Sequence, residues 1–288
     1  MITLSNGHEI KYMVASGALG FDGKSYPHEL LLRWIGLIDP SLFTVVAKTV
    51  TYKPRKGNLC WYKPWGCIRL LPGGVVNAVE LTNKGIRWWC EEKGIFADKR
   101  KISLVGSILS DNNYELVEMA TMMNDFDLVG LELNWSCPNT EGDFLENTAK
   151  IIEGCRAVKK ASCFPLILKL SVVHDVEIIL PAVEGIVEAI SINSVPWVVI
   201  FPDRKSPFAH LGGGGVSGKI AQPHTWGFVE KLVSITLVPV IGPSVWEFSD
   251  IDKLREIGAK AISFGSIFLR YPWKPTQFVR KDMKRNQN

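Results

Sequence analysis

Leu128-Val129-Gly130-Leu131-Glu132-Leu133 runs directly into Asn134-Trp135-Ser136-Cys137-Pro138-Asn139. The first six residues are apolar almost throughout, without the alternation of a half-solvated strand, and read as a strand buried on both faces. The next six bring two amide side chains and a thiol out of that strand's end. A thiol set between neutral donor–acceptor groups is a candidate proton acceptor. The same six residues also suit a plain turn, because Pro138 and Asn139 are turn formers and buried cysteine is common. The rest of the chain decides between the two.

Seven other apolar runs resemble the first. They are Lys11 to Ser16, Phe43 to Ala47, Ile102 to Val105, Pro165 to Leu170, Ile186 to Ile192, Val238 to Ile241 and Ala261 to Phe264. Amphipathic helical patterns lie between several of them. Tyr114 to Met123 sets Leu116, Met119 and Ala120 against Glu115 and Glu118, and Ile251 to Ile257 is stopped by Gly258. Eight parallel strands with intervening helices predict an α/β fold, the (β/α)8 TIM barrel, for which 288 residues is an ordinary length. Ile2 to Leu4 and Glu9 to Tyr12, around Asn6-Gly7, predict a short N-terminal β-hairpin. Tyr52 to Lys84 and Pro196 to Gly215 read as long loops at the C-terminal face of the strands, and loops of that length in a compact domain are usually functional. No repeat, linker or change of composition divides the chain, so residues 1–288 are expected to form one domain.

Composition narrows the function classes. Hydrophobic residues at 47% and charged ones at 22% fit a soluble globular protein. The net charge of +4 is modest, and Arg280-Lys281-Asp282-Met283-Lys284-Arg285 reads as a solvated end rather than a nucleic-acid surface. The first residues lack the basic and apolar regions of a signal peptide, and no apolar run approaches the ~18 residues that span a membrane. Six cysteines, at 60, 67, 90, 137, 155 and 163, form no Cys-x-x-Cys pair, which argues against a structural metal or an iron–sulfur cluster in this chain. The expectation is a cytoplasmic protein with reduced thiols. Cys60 and Cys67 read as packing residues more readily than as a disulfide.

In a barrel of this type the chemistry sits where the strands end. Those ends supply Ala15-Ser16-Gly17, Lys48-Thr49 with Asn77 in the loop that follows, then Asn134, Cys137 and Asn139. They go on with Lys169, Asn193-Ser194, Gly214-Gly215-Val216-Ser217-Gly218, Gly242-Pro243-Ser244 and Gly265-Ser266. Glycines at Gly218, Gly242 and Gly265 fit a phosphate pocket, because backbone N–H groups reach a phosphate where no side chain intervenes. Lys169 interrupts an apolar strand and so points into the barrel or its mouth, where it needs an anionic ligand or an ion pair such as one with Glu132.

Taken in order from about Ala15 to Ser266, these elements resemble the dihydroorotate dehydrogenase family. The resemblance rests on Ala15-Ser16-Gly17, Lys48-Thr49-Val50-Thr51, Asn77, Asn134 to Asn139, Leu168-Lys169-Leu170, Ile192-Asn193-Ser194, Gly215-Val216-Ser217-Gly218 and Gly265-Ser266. It implies FMN as cofactor and the class with a cysteine base, not the membrane class with a serine base. It implies oxidation of dihydroorotate to orotate in pyrimidine biosynthesis, with Cys137 taking the C5 proton while a hydride passes from C6 to flavin N5. Lys48 would offset negative charge at both flavin and substrate. Lys48, Asn77, Asn134, Asn139, Asn193 and Ser194 would hold the substrate. Ala15, Ser16, Gly17, Lys48, Thr49, Asn134, Lys169, Asn193, Ser217, Gly218, Gly242, Gly265 and Ser266 would hold FMN. The chain departs from the family pattern at Glu80, where glycine is usual, at Gly242-Pro243-Ser244 in place of Gly-Gly-Ile, at Ser266 in place of Thr, and in the acidic Thr140-Glu141-Gly142-Asp143. Pro243 removes one backbone donor from the expected phosphate contact.

Two other classes fit parts of this pattern. Another flavin barrel acting on reduced pyrimidines, of the dihydropyrimidine dehydrogenase or tRNA dihydrouridine synthase type, would share the ring-binding residues. The tRNA enzymes carry a C-terminal RNA-binding domain, whereas only Ile267 to Asn288 follow the last strand here. A flavin- or phosphate-binding barrel without turnover would have no use for Cys137 and the four asparagines. Two electron acceptors are open. Fumarate suits a self-sufficient homodimer, and NAD needs a partner subunit carrying FAD and an iron–sulfur cluster.

Overall fold

The computed structural model describes residues 1–60, 62–135 and 144–286, apart from the side chains of 144–147. Eight parallel strands form the central sheet: Tyr12–Val14, Thr44–Val46, Ser103–Ile108, Gly130–Asn134, Leu166–Leu170, Ala189–Ile192, Ile241–Gly242 and Ala261–Phe264. Each pairs with the next in sequence, for example Met13 with Thr44, Val105 with Gly130 and Leu131 with Leu166. The eighth strand returns to the first through Ile262 and Tyr12. The sixth meets the seventh through a parallel bridge from Ile190 to Val240, which closes the ring. This is the (β/α)8 barrel expected from the apolar runs.

Inside the barrel's lower half, Met13, Val46, Val105, Val129, Ile167, Ala189, Ile241 and Ala261 form one apolar cluster with Ile2, Leu4 and Ile10. The last three belong to the N-terminal hairpin, whose strands Ile2–Thr3 and Glu9–Ile10 are antiparallel. The hairpin closes the floor of the barrel. It is fastened there by Asn6 Nδ2 donating to the Val129 carbonyl at 3.1 Å and by Ser5 donating from N and Oγ to Glu188 at 2.7 Å.

The helices pack outside, as their apolar stripes require. Helix Asn113–Met123 buries Leu116, Met119, Ala120 and Met123, and Asn112 caps it by accepting from the Tyr114 amide at 2.9 Å. Helix Asp250–Ile257 stops at Gly258, whose φ of +111° suits glycine. Helix Phe144–Ala161 follows the fourth strand. Its Gly154 leaves room for the Trp135 ring, which a β-carbon there would meet at 2.7 Å. No helix among the described residues is long and apolar enough to cross a membrane.

The two long connections are more ordered than their composition suggests. Ile68–Leu71 and Gly74–Asn77 form a hairpin, and Gly215–Gly218 and Val195–Pro196 extend it into a four-stranded antiparallel sheet at the C-terminal ends of the barrel strands. Sequence reading took these segments for loops. The strands are only two to four residues long, one is half-exposed, and proline and glycine crowd their ends, so neither a period of two nor a long apolar run marks them. The sheet builds one wall of the pocket.

Candidate active site

One cleft at the C-terminal ends of the strands is lined by Ser16, Lys48, Thr49, Asn77, Asn134, Lys169, Asn193 and Ser194, together with loop residues from Ala78 to Leu81 and with Pro196, Leu211, Gly214 and Gly215. The first eight are sequence-predicted site residues. Strands one, two, four, five and six deliver seven of them, and the added sheet delivers Asn77. These five strands release their polar side chains into the mouth where their apolar runs end, one each from strands one, four and five and two each from strands two and six. Cys137 and Asn139 lie outside the described residues.

Two cations reach the cleft. Lys169 is buried, and its Nζ lies 3.6 Å from Glu132 Oε1, itself fully buried. The ion pair with Glu132 expected from sequence is present, and the same ammonium also lines the cleft. Glu132 also accepts from Ser107 Oγ and Ser191 Oγ, each at 3.0 Å, so its charge is surrounded by donors. Lys48 has no carboxylate partner among the described residues. Its ammonium lies 5.9 Å from the centre of the Phe21 ring, and burial, with a smaller contribution from Lys169, pulls its pKa down to about 8 against the opposing pull of Cys67. Cys67 is a free, buried thiol whose pKa burial pushes up. Cys60 is free as well.

Below the cleft runs a chain of hydroxyls. Ser107 Oγ lies 2.8 Å from Thr49 Oγ1, and Ser16 Oγ lies 2.9 Å from the same atom. Asn134 Nδ2 donates to Thr49 Oγ1 at 2.7 Å.

The glycine-rich ends divide by role. Gly17 has φ +81°, and a β-carbon there would lie 3.5 Å from the Lys48 stem. Gly218 has φ +94°, and a β-carbon would meet Gly73, Gly74 and the Trp246 ring at 2.9 Å. Only glycine fits at Gly218, for reasons of both conformation and space. Gly242 has a packing explanation, since a β-carbon would strike Leu254 and Ala259 at 2.9 Å. Beside it the Pro243 and Ser244 carbonyls accept from Trp226 Nε1 and Gln222 Nε2. Ala15, Ser217, Gly218, Gly242, Gly265 and Ser266 flank the cleft's strands without lining the cleft itself.

Sequence reasoning missed the segment from Ala78 to Leu81 as a wall. Glu80 and Leu81 both lie in the left-handed region, at φ +54° and +50°. Non-glycine residues persist there only where their surroundings over-determine them. Asn58 does so: its amide donates to the Val79 carbonyl, and its Nδ2 to the Ala78 carbonyl and to Glu80 Oε2. The Glu80 departure from the family pattern was the signal that could have pointed here.

A parallel barrel with a cleft of amides, hydroxyls and two lysines at its strand ends has the build of a flavin-dependent oxidoreductase. Residues 13–270 match the family model described as dihydroorotate dehydrogenase, and the chain belongs to that family. It is similar to proteins named dihydroorotate dehydrogenase B (NAD(+)), catalytic subunit. The one from Thermoanaerobacter sp. (strain X514) is 29% identical over 261 residues, covering 88% of this chain and 82% of that protein. The one from Alkaliphilus oremlandii (strain OhILAs) is 31% identical over 236 residues, covering 80% and 74%. Among solved structures, a ligand-free dihydroorotate dehydrogenase from Eimeria tenella superposes with a TM-score of 0.59 at 19% identity, over 82% of this chain and 74% of that one, which shows a shared fold.

The family is one of FMN flavoproteins in pyrimidine biosynthesis, and the donors present fit that cofactor. Lys48 and Lys169 supply positive charge, and Ser16, Thr49, Asn134 and Asn193 supply hydrogen bonds, all from the lining of the cleft.

Proposed function

We propose that this chain, as one FMN-binding domain spanning residues 1–288, oxidises dihydroorotate to orotate in the cytoplasm. The observation that carries the reading is the convergence of Asn77, Asn134, Asn193 and Ser194 with Lys48 in one cleft. Amide groups match the amide-like edges of a pyrimidine ring in donors and acceptors, and an uncompensated lysine matches its carboxylate. Cys137 is assigned as the base that removes the C5 proton, with Asn139 as a fourth amide on the ring. FMN, when bound, takes the hydride from C6 and supplies the redox chemistry. Lys48 offsets the substrate's charge, Lys169 faces the cofactor, and Ser16, Thr49 and Gly218 complete its setting.

The relatives' names suggest the second half-reaction. They are catalytic subunits of an NAD(+) enzyme, which favours NAD as the acceptor for this chain, and with it a partner subunit carrying FAD and an iron–sulfur cluster.

Anaerobic mixing with dihydroorotate, followed by flavin bleaching, tests the reading. Wild-type protein should bleach. Cys137→Ala should keep its FMN and still bind orotate, yet bleach about 10²–10⁴-fold more slowly, the usual loss for a positioned general base. Bleaching of Cys137→Ala at the wild-type rate across the pH range would place the base elsewhere. Adding NAD or fumarate to the bleached protein, with and without the partner subunit, then identifies the acceptor.

A further inference from the structure

Phosphate recognition in a parallel barrel ordinarily falls to the loops after strands seven and eight, where backbone N–H groups converge on the anion. In this chain the strand-seven loop is committed elsewhere. Pro243, directly after the strand, has no N–H to give. Further along, the Trp246 and Glu247 amides both donate to Asp250 Oδ2, at 2.9 and 2.8 Å, and Gln222 Nε2 donates to the same oxygen at 2.8 Å. A carboxylate of the protein thus already takes two successive N–H groups of the kind an outside anion would use. The loop is also pinned against re-aiming. Its Pro243 and Ser244 carbonyls accept from Trp226 Nε1 at 3.1 Å and Gln222 Nε2 at 2.9 Å, and Ser244 is held at φ +65°. Trp246 then covers Gly218 from the loop's side: it is 7% exposed, and a β-carbon on Gly218 would meet its ring at 2.9 Å. Lys219, next to Gly218, is paired with Glu247 at 2.6 Å. Asp250 is buried, and a carboxylate bonded to the loop's own amides opposes a second anion there.

We propose that Pro243 and the Asp250-bonded loop remove phosphate recognition from the strand-seven end, so that this chain holds its flavin by the ring system and takes riboflavin nearly as tightly as FMN. The inference rests on the flavin reading of the site and goes beyond it, because it assigns which part of the cofactor the protein does not read. Gly265 and Ser266, at the strand-eight end, are left to meet a phosphate from one side. The cleft keeps its two lysines, its amides and its hydroxyls, which serve a flavin with or without the phosphate. Pro243 is the specificity-determining residue in this arrangement, since it is the position of the loop at which a single substitution returns a backbone donor.

The test titrates flavin-free protein with FMN and with riboflavin and follows quenching of flavin fluorescence, a readout that needs neither substrate nor turnover. The two Kd values of the wild-type protein should agree within about tenfold, because a charge-assisted hydrogen bond to a phosphate is worth roughly tenfold or more in affinity and a full set of them far more. Pro243→Ala restores one N–H to the loop and leaves the side chains of Gln222 and Asp250 in place. It should bind FMN about tenfold more tightly than wild type, with riboflavin changed by less than about twofold. A wild-type preference for FMN well beyond tenfold would overturn the proposal and leave the flavin reading intact. Failure of Pro243→Ala to favour FMN over riboflavin more than wild type does would overturn the role given to Pro243. Binding of neither flavin to the wild-type protein would remove the flavin reading and the proposal together.

Discussion

At the scale of a residue, Lys48 carries the clearest pH signature. Burial lowers its pKa to about 8, so it is charged below that value and neutral above it. A bound carboxylate gains from the charged form. Orotate affinity should therefore be highest below pH 8 and fall as the pH rises through it, and Lys48→Met should bind weakly with no such dependence. Titration of orotate binding across pH 6 to 10 checks this, and an unchanged profile in the variant would remove Lys48 from the anion site. Proton removal by a thiol strengthens in the opposite direction, since free thiols titrate near ~8.5. Turnover should thus peak between the two trends rather than rise steadily.

At the scale of an element, the barrel strands and the residues at their ends were legible because burial on both faces writes an unbroken apolar run. Lys169 stood out for the same reason, as a charge inside such a run. The antiparallel sheet over the mouth was not legible, because its strands are too short and too exposed to show a period. Nor was the role of Ser107 and Ser191: a serine in a strand is unremarkable until its neighbour across the sheet proves to be Glu132. The terminal helix Lys274–Arg285 shows the same limit. Its basic run read as a solvated end, yet it contains Asp282, fully buried and joined to Tyr12, Arg255 and Arg285. Burial alone would push the Asp282 carboxyl up, but Arg255 and Tyr12 hold it at about 2. A carboxyl depressed on folding contributes stability above its ordinary pKa near ~4, and that stability is lost as pH falls through about 2. Asp282→Ala should cost roughly 3 kcal/mol, seen as a Tm lower by about 6–12 °C at neutral pH, with the difference from wild type shrinking in acid. Thermal melts at pH 7 and pH 2.5 make the comparison. An equal gap at both would mean that packing, not charge, holds the helix.

At the scale of the whole molecule, stability and chemistry occupy opposite ends of the barrel. The hairpin and Asp282 secure the floor and outer wall, while the polar cleft sits at the strands' far ends. Lys169 and Glu132 are the exception, a charged pair in the barrel interior on which both depend. Removing one partner of a buried pair strands the other at about 3–5 kcal/mol, whereas replacing both with apolar groups is often close to neutral. Lys169→Met should accordingly melt well below wild type, and Lys169→Met with Glu132→Leu should recover most of the loss. Both should hold FMN weakly. Calorimetry beside flavin content measures the two properties on the same samples, and a Lys169→Met protein with wild-type stability and full FMN would show that neither depends on the pair.

Pairing Tyr12 with Ile262 sets the order in which the molecule can be finished. The first barrel strand leaves the ribosome about 250 residues ahead of the partner that completes it. Throughout synthesis its outer edge, and the floor that the hairpin is to close, wait for a segment still being translated. A ribosome stalled before Ala261 therefore holds an open sheet with an unpaired margin, the form most exposed to wrong pairing with other chains. Each finished molecule depends on its last strand to shelter its first.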